Sequence, residues 1–202
     1  MKPSRFTRLG GLGALLGGTL WVATLGVAQL LSADLTAFVV APVLCLMLGV
    51  AALQARQARN AGRLGGAGFL IALLGCVVLA YGSVGQVTVN GSVAGLTYGP
   101  LVLGGLAPGA LIFGVGTGLL ALSSIVANVL PRLSPVPLLV GAVGVTVAAG
   151  WAIGHQVLDG APARIFPVQT APIMGLWAIF GVGWLWLGYL LWTEGRHDPS
   201  VR

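Results

Sequence analysis

Charge is what this sequence has least of. Only 7% of its 202 residues are Asp, Glu, Lys or Arg, against about a quarter in an ordinary water-soluble domain. Such a chain cannot cover a core in water, which excludes a soluble globular fold. With 57% hydrophobic residues and a mean hydropathy of +0.99, its natural solvent is the bilayer. Acidic residues are scarcest, at four, so paired-carboxylate chemistry has almost no material. The two cysteines, Cys45 and Cys76, fall in apolar runs and read as inert packing thiols. No Walker A, HExxH, CxxC or GxSxG pattern occurs.

What the chain has in quantity is glycine, 33 residues. In membrane helices glycine lets backbones approach closely. Six apolar runs cover residues 9–31, 35–54, 64–85, 101–129, 136–154 and 170–192, and none holds an acidic or basic residue. Each is long enough for a hydrocarbon core of about 30 Å. The first follows a basic start with Lys2, Arg5 and Arg8. It is longer than a signal-peptide core and has no convincing small-x-small cleavage site, so it reads as a retained first helix.

The connections alternate in charge. Arg56, Arg59 and Arg63 follow the second run, Arg132 follows the fourth, and Arg196 and Arg202 follow the sixth. The first and third connections carry no base, and the fifth carries Arg164 beside Asp159. With six crossings, nine of the ten Lys and Arg residues share one side. The positive-inside rule makes that side the cytoplasm, with both termini there. The net charge of +6 is thereby explained by topology, and no extended basic face is left for nucleic acid.

"RLGGLGALLGG" begins at Arg8, and "RLGGAGFLIALLGC" repeats its opening at Arg63. A weaker third version, "PRLSPVPLLVGAVG", begins at Pro131. In each, an arginine sits where the headgroups would be and small residues open the helix. Two readings stay open: three duplicated hairpins (helices 1–2, 3–4 and 5–6), or convergence of three cytoplasmic entries. Gly13/Gly17, Gly105/Gly109 and Gly114/Gly118 are small-xxx-small pairs, suited to close crossings or oligomer contacts. Pro42 and Pro108 fall inside runs 2 and 4 and are expected to kink them.

The runs hold few residues that could carry chemistry. The uncharged polar residues within the runs are Thr19, Thr24, Gln29, Ser123, Ser124, Asn128 and Thr146. Ser and Thr can bond to their own helix carbonyls and need no partner. His155 and Asp159, four apart in "HQVLDGAPAR", are the sole external polar pair. They offer two ligands where zinc normally needs three or four, and Gly160 and Pro162 argue that the stretch is a loop. "QVTVNGS" suggests a short hairpin or re-entrant piece turning at Asn90–Gly91. Run 6 is the most distinctive. Trp177, Gly181, Trp184, Gly188 and Trp192 form one helical stripe. Trp177, Trp184 and Trp192 are candidates for aromatic packing, for contact with a lipid tail, or for contact with a partner subunit.

"RLGGLGALLGGTLW" and "SIVANVLPRLSPVPLLVGAVG" resemble a broad group of uncharacterised small multi-spanning bacterial inner-membrane proteins. The resemblance covers most of the chain and is topological. It implies a bacterial inner-membrane protein and carries over no catalytic residue. The expectation is therefore an all-α, six-helix polytopic transmembrane bundle over residues 1–202, both termini in the cytoplasm. It would be a non-enzymatic accessory or structural component with no cofactor and no metal. Its partners would be membrane lipids and a second copy or another membrane subunit met through the glycine faces. The alternative is a carrier or pore for an uncharged or lipid-like molecule, and after it a membrane enzyme acting on lipid.

Overall fold

The computed structural model describes residues 5–31, 36–57, 62–92, 106–128, 130, 134–159 and 171–193. They form six α-helices: α1 (Arg5–Leu31), α2 (Val40–Gln57), α3 (Gly62–Ser92), α4 (Leu106–Val126), α5 (Val136–Asp159) and α6 (Ala171–Thr193). A 3₁₀ turn, Thr36–Val39, leads into α2. All six helices are long and apolar enough to cross a membrane.

The helices pack as a closed ring in chain order. Each lies against its sequence neighbours, and α6 closes on α1. Glycine contacts fix the directions. On the α1–α6 seam Gly11 meets Gly188 and Gly18 meets Gly181, and on the α3–α4 seam Gly75 meets Phe113 and Gly116 meets Ala72. Rising numbers on one helix meet falling numbers on the next, so neighbours are antiparallel. One end of the ring thus holds the start of α1, the end of α6 and the described arginines Arg8, Arg56 and Arg63. It is called the arginine end below.

Glycine explains how closely the ring is drawn. A Cβ on Gly18 would lie 2.7 Å from the Gly181 carbonyl oxygen, and one on Gly188 would lie 2.6 Å from the Leu15 backbone nitrogen. Only hydrogen fits there. The "GG" pairs of α1 divide their work: Gly10, Gly13 and Gly17 face α2, while Gly11 and Gly18 face α6. The contact glycines recur every seven residues: 11 and 18, 181 and 188, 68 and 75, 109 and 116. That 3.5-residue period is the one a left-handed crossing of about 20° keeps in register. Of the four-residue pairs, Gly13 and Gly17 share the α2 seam, and Gly114 abuts Thr146 of α5. Gly118 makes only an ordinary 3.7 Å approach to Ala142, and Gly105 lies outside the described residues.

Three expectations change. Helix α2 starts at Val40 and α4 at Leu106, so Pro42 and Pro108 occupy first turns rather than helix interiors. A proline is best tolerated in a first turn, where donors lack intrahelical partners; the 3₁₀ turn runs directly into the helix that holds Pro42, and the residues before Leu106 lie outside the described residues. Helix α3 continues through Asn90 and Gly91 to Ser92, where a hairpin turn was expected. Extending an existing helix needs no new nucleus, and this outweighs the β-branched alternation of "VTVN". Residues 93–100 lie outside the described residues.

Helix α4 stops in a defined way. Asn128 takes a left-handed φ of 50°, and its N–H donates to the Ile125 carbonyl at 3.2 Å, while the Ala127 N–H donates to Ser123 at 2.9 Å. Asparagine is the non-glycine residue best suited to this cap. Outward faces carry large apolar side chains, among them Leu9, Leu70, Val126 and Val147. Such a surface suits lipid and would be unsustainable in water.

Candidate functional site: an aromatic plug and a buried amide

Two features occupy the ring's interior. The first is a five-ring aromatic cluster. Trp21 of α1 stacks on Trp177 of α6, with centroids 5.5 Å apart and planes 14° from parallel. Trp21 also meets Phe180 edge-on at 5.6 Å. Phe180 meets Phe113 of α4 edge-on at 5.4 Å, and Phe113 stacks on Trp184 at 6.4 Å. These are the offset-stacked and T-shaped geometries that ring quadrupoles favour, each pair contributing about 0.5–1.5 kcal/mol beyond area burial.

Trp184 is fully buried and reaches across the ring. Its indole edge lies beside Gly49 of α2, where a Cβ would come within 3.2 Å of it. One side chain thus joins α6, α2 and, through Phe113, α4. At this level the interior among the described residues is occupied by Trp184, Phe113 and Phe180, all fully buried. The spacing of 177, 180 and 184 follows the inward face of α6, and Gly181 and Gly188 lie beside it against α1.

Trp177, Trp184 and Trp192 lie on one stripe of the α6 sequence. Trp177 and Trp184 are in the core, and Trp192 is half-buried, its backbone nitrogen at Gly11 of α1. The outward indole of α6 is Trp186, which sits 6.3 Å from the exposed Tyr189 ring. Trp21 is the lone tryptophan of α1, so nothing in its own run marks it as part of an aromatic cluster.

The second feature is a buried primary amide near the arginine end. Gln57, in the last turn of α2, is wholly buried. Its carbonyl oxygen accepts a 2.7 Å hydrogen bond from the Ser123 hydroxyl. Its amide nitrogen donates to the Ser124 hydroxyl and, at 3.5 Å, to the Leu120 carbonyl. Both hydroxyls also lie 2.9 Å from the Leu120 oxygen. Ser124 donates there while accepting from Gln57. Ser123 has one proton and divides it between Gln57 and Leu120. The consecutive serines therefore offer an acceptor and a donor that match the two ends of the amide. This ties α2 to α4 directly, although the two helices otherwise barely touch.

The remaining polar residues are simpler. Thr19, Thr24, Thr146 and Ser83 each donate at 2.8 Å to the carbonyl four residues earlier, the local solution expected of hydroxyls in helices. Thr117 is fully buried, and its hydroxyl has no hydrogen-bond partner, nor have the indole nitrogens of Trp21 and Trp184. The side chain of Gln29 lies outside the described residues.

His155 and Asp159 both belong to α5, which runs helically to Asp159 where a loop was expected. The apolar periodicity of "TVAAGWAIGHQVLD" sustains the helix past its glycines. The side chains of His155 and Asp159 lie outside the described residues, as does His197. Among the described residues no three His, Cys, Asp or Glu side chains gather to hold a metal. Every buried polar side chain of the described core is uncharged: Gln57, Ser83, Thr117, Ser123, Ser124 and Ser134.

No protein-family model, no curated protein and no solved structure matches this chain.

Proposed function

We propose that this protein is a non-enzymatic accessory or structural component of a bacterial cytoplasmic membrane, crossing it six times with both termini in the cytoplasm. The observation that carries this reading is the filled centre. A carrier or pore needs a lumen or a site, and Trp184 with Phe113 and Phe180 occupies the place where one would lie. The orientation rests on the arginines gathered at one end, and the apolar outer faces supply the lipid-facing surface. Anionic lipid headgroups are natural partners for the exposed Arg8 and Arg63.

Native mass spectrometry of the protein released gently from its own membrane tests the reading. A retained partner chain, or a homo-oligomer free of small molecules, supports an accessory role. A small molecule retained at a fixed ratio, other than membrane phospholipid, would replace it with the carrier reading.

A further inference from the structure

We draw no further inference here: the strongest candidate, the outward surface patch of α5 formed by the exposed Val136, Val140, Val143 and Val147, is an unpartnered apolar face, and nothing in the structure shows what covers it.

Discussion

Consider adding a single methyl group to the α1–α6 seam with Gly188→Ala. The new Cβ would stand 2.6 Å from the Leu15 nitrogen, 2.8 Å from the Gly11 oxygen and 3.0 Å from the Leu15 Cγ. Two of those three atoms are backbone, so no side chain can turn aside to make room. Ordinary contact begins near 3.4 Å, so α6 must withdraw by about 0.8 Å (3.4 minus 2.6). A gap of that size forfeits roughly a quarter to a half of the dispersion energy along the seam. Overpacking of this kind costs about 1–3 kcal/mol. The comparison is Gly66→Ala on α3, where a Cβ meets nothing within 4 Å. There the methyl raises helix propensity and should stabilise by up to about 1 kcal/mol. Gly188→Ala gains the same propensity, so the two variants should differ by the overpacking cost alone, about 1–3 kcal/mol. Reversible unfolding in mixed micelles, titrated with SDS and followed by tryptophan fluorescence, measures the difference. Equal midpoints for the two variants would refute the glycine-seam account.

The remaining predictions concern single side chains. Gln57→Leu should cost about 1–2 kcal/mol in the same titration, the range of interhelical hydrogen bonds between membrane helices; no loss would mean that the amide carries no net tie. Trp184→Ala should cost about 3–5 kcal/mol by opening a cavity across the ring. Trp186→Ala, on the outer face, should stay within about 0.5 kcal/mol, and a reversal of that order would move the core to the wrong face of α6. Asn128→Val should destabilise by about 1–2 kcal/mol because a β-branched residue resists φ near 50°, whereas Asn128→Gly should be neutral or better.

The sequence reveals the six spans because length and arginine placement are independent signals that agree, and both survive in the structure as six helices with their described arginines at one end. Hydropathy reads helix ends less well. It cannot separate an apolar helix from an apolar entry segment, so Pro42 and Pro108 fall within runs 2 and 4 of the sequence and near the starts of α2 and α4 in the structure. Gln57 is hard to read because "LQARQAR" looks like a wet connection. Its signal was periodicity: Val43, Leu46, Val50, Leu53 and Gln57 form one buried stripe of α2. The "RLGG" echo promised like roles for like letters. In the structure Gly10 and Gly11 press on α2 and α6, while Gly66 of the second copy has nothing within 4 Å. Which tryptophans face inward depends on packing order around the ring, and no single helix encodes that. Trp21 and Trp177 meet because α6 closes on α1.

The central claim is a six-span ring with its arginine end in the cytoplasm. Cysteine-accessibility labelling in intact cells tests that most directly, in a chain whose Cys45 and Cys76 have been replaced by alanine. A cysteine at Asn90 should react with a membrane-impermeant maleimide added outside, and one at Asn60 should react only after the cells are opened. Reaction at Asn60 from outside with Asn90 protected would invert the molecule. Equal reaction at both would deny that the segment between them crosses the membrane.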